Sequence, residues 1–479
     1  MAAQLTPSKR SDQWNWNASV GGYKQAFYPA SQSGLGDMFL HIAFSVSVAS
    51  MDPERVARAW AIIYKRHPLL LCKVACEEHP RMPYFLFVPP KDVNQAVQEA
   101  RNSLTLNSKS KDELIFEYMN GPRSLSDNSI SSLTISTSDI SVSTSQAQYD
   151  LLMCAPHFLG DGTSLDIATH DLLTLLAGPL SNAELENELA EENDWLSVLP
   201  PAFESRLDVP TSRFSQAAIE VDFARMLQRE IGGHTLPRNQ RGPQKTVMYE
   251  VSFSESETEM ILKKCKTKGV TVNHALVAVC NLVWARNFIQ GKQKELPLMM
   301  YTAINLRPFL SSHPTNTYWF VALTYFNIVL PSFLPSTQEV LWHRAREMVD
   351  SPFLKSRALN MANIRIACSR GGKVEIPTLS AIVDDDSSSA MAAAPSAALL
   401  GLSLIGNLDS IYTRPSYPTF TLHSVATASR QKASGLLLLE HTFGKKLWLN
   451  LCWDENGFEE GVIETFWKGL EDGVRELVG

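Results

Sequence analysis

The chain has 479 residues, 44% of them hydrophobic, with 43 basic against 50 acidic side chains and a formal charge of −7. That length and apolar content supply core for two lobes of one enzyme. The slightly acidic balance argues against general attraction to nucleic acid or anionic membrane. Seven scattered cysteines lack paired metal-ligand spacing, so reduced thiols and no metal are expected. The opening turns polar and aromatic before a leader core could form, and no run reaches the roughly 18 apolar residues of a membrane span. A cytoplasmic protein is expected.

The first predicted element is "MFLHIAFSVSV", where Leu40, Ile42, Phe44, Val46 and Val48 alternate onto one face of a half-buried strand. A helix follows, with Asp52 as cap, Pro53 at its first position, Val56, Trp60 and Ile63 on one flank, and Pro68 as its stop. "LLLCKVACEE" and "PYFLFVP" read as further strands, giving a mixed or antiparallel sheet. The Ser- and Thr-rich residues 118–148 permit short exposed strands or a long loop. "YDLLMCAP" is a central strand, and Leu165, Ala168, Leu172 and Leu175 recur at helical spacing beyond a Gly-Asp-Gly turn. "ELENELAEEND" reads as surface and connector, and a helical stretch near 214–230 precedes the crossing between lobes.

That crossing is placed at residues 232–246, "GGHTLPRNQRGPQKT", which separates an N-terminal lobe, 1–231, from a C-terminal lobe, 247–479. The second lobe opens with strand "VMYEVSF" and a helix begun by Ser256 and Glu259 at capping-box spacing. "VTVNHALVAVCNLVWARNF" is apolar around its circumference and predicts a helix buried between layers. "NLRPFL" and "TYWFVALTYFNIVLP" are extended or loop-lining, a more exposed helix lies near 337–350, and 384–396 is a loop. Strands "SGLLLLEHTF" and "KLWLNLCWD" precede a closing helix with Val462, Phe466, Leu470 and Val474 on one stripe.

The chemistry concentrates at "HFLGDG", residues 157–162, where strand gives way to helix. An imidazole can remove and return a proton near neutral pH, and a carboxylate can orient it or brace its loop. His157 is therefore a candidate general base. The spacing equally allows Asp161 to cap a turn and His157 to be an ordinary loop histidine. No phosphate-cradling or dinucleotide-binding glycine motif is present.

"HFLGDG" resembles the HxxxDG motif of the chloramphenicol acetyltransferase-like superfamily of acyl-CoA-dependent acyltransferases, which includes peptide-synthetase condensation domains. "YKRHPLLLCKV" resembles the group's early RHPxLR region, with Leu71 in place of its arginine. "GVTVNHALVAVCNLVWAR", "INLRPFL" and "GLSLIGNLDSIY" resemble its second-lobe helix, Arg-containing loop and Ser/Gly segment, in order along nearly the whole chain. The resemblance implies a two-lobed α/β fold with mixed sheets flanked by helices and an active channel between the lobes. It implies His157 as general base, Asp161 as a structural or orienting residue, and Arg307 as a cation that could partner it or equally be a surface residue. It also implies acetyl-CoA or another acyl-CoA as donor.

Ser403 and Asn407 are candidates for lining the donor side, with satisfied turn residues as the alternative, and Gly406 permits close backbone passage. Arg241 and Lys245, with Arg238, are candidate phosphate contacts, or solvated linker charges. Trp319, Tyr325 and Phe326 either shape an acceptor pocket or pack in the core. Pro156 replaces the first histidine of condensation domains, and a plant-type DFGWG motif is absent. The chain thus most resembles stand-alone fungal O-acetyltransferases of secondary metabolism, including those acting on trichothecene-like sesquiterpenoid alcohols. A monomer acting on a small-molecule alcohol is expected. A cyclase on the same scaffold and a non-catalytic small-molecule binder are the alternatives.

Overall fold

The computed structural model describes residues 16–19, 27–76, 83–141, 146–200, 206, 212–215, 217–219, 221, 230–289, 294–310, 317–335, 339–349 and 397–478. The chain forms two units. One comprises Met1–Asp208, Phe309–Ala322 and Asn407–Arg430; the other comprises Val209–Pro308, Leu323–Gly406 and Gln431–Gly479.

The first unit opens with β1 (Trp16–Ser19), the short helix α1 (Tyr28–Ser31) and β2 (Asp37–Ser47). Expected to be half-buried, β2 is buried on both faces from Asp37 to Phe44. Its second face is satisfied by polar pairing: His41 Nε2 lies 2.8 Å from Asp150 Oδ1, and Arg123 grips the Asp37 carboxylate. Val48 leaves the strand to begin a 3-10 turn, Val48–Met51. Helix α2 (Pro53–Arg66) starts as its sequence predicts, with the Asp52 carboxylate accepting from the Arg55 backbone N–H at 3.1 Å. It stops ahead of Pro68, which disfavours helical backbone at His67. Residues Pro68–Leu71 form a 3-10 turn rather than the expected strand start, so β3 is only Lys73–Cys76. It pairs antiparallel with β4 (Pro83–Phe87), which pairs with β1.

Next come α3 (Val93–Asn102), β5 (Leu104–Asn107), α4 (Lys111–Asn120), β6 (Ser132–Ser141) and β7 (Gln146–Pro156). The Ser/Thr-rich stretch is thus in part a ten-residue strand, held between β5 and β7 with Leu133 and Ile135 buried. Helices α5 (Gly162–Ala177), α6 (Asn182–Ala190) and α7 (Trp195–Val198) follow. The acidic run expected as connector folds as α6, because Ser181 and Glu184 close a capping box and Leu185 and Leu189 bury one flank. Most of the helix expected near 214–230 lies outside the described residues.

The second unit contains β8 (Thr246–Ser252), α8 (Glu255–Thr267), α9 (Val272–Asn287), β9 (Leu298–Asn305), β10 (Leu323–Leu330), α10 (Val340–Val349) and β11 (Ala398–Asn407). The capping box of α8 uses Ser254 and Glu257, two residues ahead of the expected pair. Every residue of α9 from Ala275 to Ala285 is buried, as its unbroken apolarity predicts. The loop expected at 384–396 lies outside the described residues. Strand β12 (Thr421–Ser429) belongs to the first unit, while β13 (Leu436–Phe443), β14 (Lys446–Asp454) and α11 (Val462–Arg475) complete the second. The expected stripe of α11 is buried at all four positions.

The first unit's larger sheet has the order β12-β2-β7-β6-β5, with β5 and β6 parallel and the other pairs antiparallel. In the second unit the order is β10-β9-β11-β13-β14-β8, with β9 and β11 parallel. The chain therefore has a two-lobed α/β fold with mixed sheets flanked by helices. Strand β7 occupies the middle of its sheet, and the motif residues follow its last position directly.

Candidate active site

His157 is the first residue beyond β7. Its backbone N–H donates to the carbonyl of Gly36 at 3.2 Å, and the Leu159 N–H donates to Pro156 at 3.0 Å, closing the turn. Phe158 and Leu159 are buried, with Phe158 packed between the rings of Tyr28 and Phe85. Apolar burial of these two side chains leaves His157 as the partly exposed residue of the turn. Its Nδ1 is buried without a hydrogen-bond partner among the described residues, and the ring stacks on Phe27 at 5.2 Å between centroids and 12° between planes.

Both oxygens of the Asp161 carboxylate are engaged. One carboxylate oxygen accepts from the backbone N–H of Ser164 at 3.1 Å and from its hydroxyl at 3.2 Å; the other accepts from the Ala322 N–H at 2.9 Å. The Ser164 hydroxyl also reaches the Phe320 carbonyl at 3.2 Å. Asp161 is thus the N-cap of α5 and ties its first turn to the chain at residues 318–322. The carboxylate satisfies donors otherwise orphaned at a helix start and is favoured there by the helix dipole. Arg307, named as a possible cation for Asp161, sits in the 3-10 turn Arg307–Phe309 and is assigned to the other unit.

The two motif glycines differ. A Cβ on Gly160 would sit 3.2 Å from both the Ser164 Cβ and the Trp319 Nε1, so these neighbours would have to give by a few tenths of an ångström. A Cβ on Gly162 would meet nothing within 4 Å.

Behind the motif, α5 carries a polar stripe. The Tyr412 hydroxyl donates to Asp166 at 3.1 Å, and the Tyr318 hydroxyl donates to Asp171 at 2.8 Å. His170 Nδ1 bonds the Tyr417 hydroxyl. His67 Nδ1 lies 2.8 Å from the Thr317 hydroxyl, and burial depresses its imidazole to about 3, so it stays neutral. Burial pushes the Asp166 carboxyl up to about 7, partly opposed by the Tyr412 hydroxyl and reinforced by Asp161. Sequence periodicity treats α5 as an ordinary amphipathic helix; its buried Asp166 and Thr169 fall on the apolar side without a local signal.

The remaining candidates are dispersed. Ser403 is half-buried on β11, while Asn407 is exposed and uses its side-chain oxygen to cap a 3-10 turn, accepting from Asp409 at 3.0 Å. The exposed Arg241 donates from its guanidinium to the Glu455 carbonyl at 2.7 Å, and Lys245 pairs with the Glu455 carboxylate at 2.5 Å. Arg238 lies beside Lys432, whose ammonium is held low by burial and by that guanidinium. Trp319 is fully buried and Phe326 nearly so, whereas Tyr325 is half-buried against Tyr301. Phe27 and Gly36, which touch His157 directly, lie in a stretch whose sequence signals nothing at all. Among the described residues no group of three or more His, Cys, Asp or Glu side chains could hold a metal, and no helix is long and apolar enough to cross a membrane.

No protein-family model matches the chain, and neither does any curated protein sequence. Solved structures do match. A trichothecene 15-O-acetyltransferase (TRI3) from Fusarium sporotrichioides superposes with a TM-score of 0.78 at 14% identity, over 98% of this chain and 97% of that one. The condensation domain of the Monacolin K polyketide synthase MokA gives 0.62 at 11% identity, over 96% and 97%. SgcC5 from Streptomyces globisporus gives 0.60 at 13% identity, over 96% and 98%. The chain shares its two-lobed α/β fold with these three structures.

Proposed function

We propose that the chain is a CoA-dependent O-acyltransferase that moves an acetyl group from acetyl-CoA to a hydroxyl of a small fungal secondary metabolite such as a terpenoid. The observation that carries this reading is the placement of His157. It is the partly exposed side chain of a turn at the end of a central strand, and Asp161 braces the loop through its bonds to Ser164 and Ala322. The likeness in fold to the acetyltransferase structure supports the choice of chemistry.

In the proposed reaction the imidazole accepts the acceptor's hydroxyl proton as the oxygen attacks the thioester carbonyl. The tetrahedral intermediate collapses with cleavage of the C–S bond, and the imidazolium returns the proton to the departing thiolate. Proton balance closes on one residue, so no acyl-enzyme is needed. Ser403 and Asn407 are proposed on the donor side, and Arg241 and Lys245 are proposed to meet its phosphates.

The test is mass spectrometry of products after incubation with acetyl-CoA and a fungal metabolite extract. A product heavier by one acetyl group, dependent on the thioester and lost in His157→Ala of unchanged melting temperature, is the expected result. Product formation without thioester, or full turnover by the variant, would overturn the reading. Arg241→Ala combined with Lys245→Ala is expected to raise the donor KM at unchanged kcat.

A further inference from the structure

We infer that Phe27 is a positioning residue for His157, setting the direction of the imidazole by stacking where a carboxylate or carbonyl would ordinarily set it by hydrogen bonding. The inference rests on the acyl-transfer reading for its consequence, but not for its geometry. A histidine's outer torsion is broad and nearly two-fold, so the side chain does not orient its own ring. In most working histidines the nitrogen away from the substrate is held by an acceptor, which fixes ring direction and tautomer. Among the described residues that anchor is missing: Nδ1 is buried without a partner, and the Asp161 carboxylate is engaged with Ser164 and Ala322.

What holds the ring instead is an aromatic face. The planes of Phe27 and His157 lie 12° apart with centroids separated by 5.2 Å, which is offset stacking. Phe27 is itself fixed, because it immediately precedes α1, which is docked at both ends. The Tyr28 hydroxyl donates to Asp127 at 3.0 Å, the Gln32 amide donates to the same carboxylate at 3.2 Å, and the Tyr28 ring meets Phe158 edge-on. From α1 the chain turns through Gly34 and Gly36, both at positive φ, so that the Gly36 carbonyl reaches the His157 N–H. The Gly36 N–H in turn donates to the Arg430 carbonyl at 3.2 Å. One short segment therefore holds both the backbone and the ring of the proposed base.

The experiment uses the full chain labelled with carbon-13 at the histidine Cε1, comparing wild type, Phe27→Leu and Phe27→Tyr. The His157 resonance is identified by its loss in His157→Gln. A ring stacked on phenylalanine carries an upfield ring-current shift, which Phe27→Leu is expected to abolish and Phe27→Tyr to keep. With acetyl-CoA and an accepted alcohol, Phe27→Leu is expected to lower kcat by about 10- to 100-fold, the scale of a misplaced catalytic group. The donor KM should stay within about twofold of wild type, with Phe27→Tyr restoring kcat. A resonance unmoved in Phe27→Leu would overturn the stacking, and a moved resonance with unchanged kcat would overturn the positioning role. Retained turnover in His157→Gln removes the acyl-transfer reading instead, and the resonance still reports on Phe27 by itself.

Discussion

Asp161 acts on structure through both of its oxygens, and its loss is expected to be felt first in stability. Asp161→Ala removes a helix cap, worth about 1 kcal/mol, and strands the buried Ala322 N–H, at about 1–3 kcal/mol more. Urea unfolding should therefore show a loss of about 2–4 kcal/mol, against nearly none for His157→Ala. Two carboxyls define a pH dependence. Burial raises Glu440 from an ordinary 4.5 to about 7, offset only in part by the Gly406 N–H, and Asp166 from 3.8 to about 7. The folded state holds these protons more tightly than the unfolded chain, so stability is greatest below about pH 4 for these groups and declines until about pH 7. Glu440→Gln is expected to remove up to about 3 kcal/mol of that decline, read as a smaller shift of the urea midpoint between pH 5 and pH 8. Of the candidate site, the cap at Asp161 is legible in the sequence, whereas the spacing leaves His157 as base or loop residue and only the resemblance singles it out. Phe27 is not legible, since stacking partners 130 positions apart leave no periodicity to read.

Helix α11 packs against α9 through glycines: a Cβ on Gly473 would lie 2.7 Å from Val279 Cγ1, and one on Gly469 would lie 2.7 Å from Val283 Cγ1. Alanine gains about 1 kcal/mol of helix propensity over glycine, whereas forcing a methyl into a packed interface costs about 1–3 kcal/mol. Gly473→Ala is therefore expected to lower the urea midpoint, and a rise would show that α11 can shift without cost. Helix α2 is legible because its cap and apolar spacing agree, α9 because its apolarity is unbroken, and α11 by its apolar stripe alone, since Gly461 at its N-cap offers no side-chain bond. Strand β6 and helix α6 are less so. Serine and threonine suit a strand whose neighbours supply its hydrogen bonds, and an acidic helix buries only Leu185 and Leu189, so neither announces itself by composition. The box at Ser254 was displaced by two residues because "SESETE" offers two overlapping Ser-x-x-Glu frames, and only packing of Thr258 and Ile261 selects one.

For the whole molecule, the ordered motifs point to a two-lobed α/β fold, and sheet order bears this out. No local signal marks where the chain leaves the second unit and returns. The first unit is closed by Phe309–Ala322, which supplies the Ala322 donor to Asp161, and by Asn407–Arg430, which supplies β12 and Tyr412. A chain ending at residue 308 is therefore expected to be insoluble or to bind hydrophobic dyes, and a soluble product with cooperative unfolding would refute that dependence. The pairing of β12 with β2 also fixes a timetable for synthesis. The stretch from Ser47 to Thr421 must be translated before β2 receives its second neighbour, so the nascent chain carries an open strand edge for that whole interval. Its yield in a host should depend on what shields that edge at the ribosome, and slower elongation should prolong the exposure.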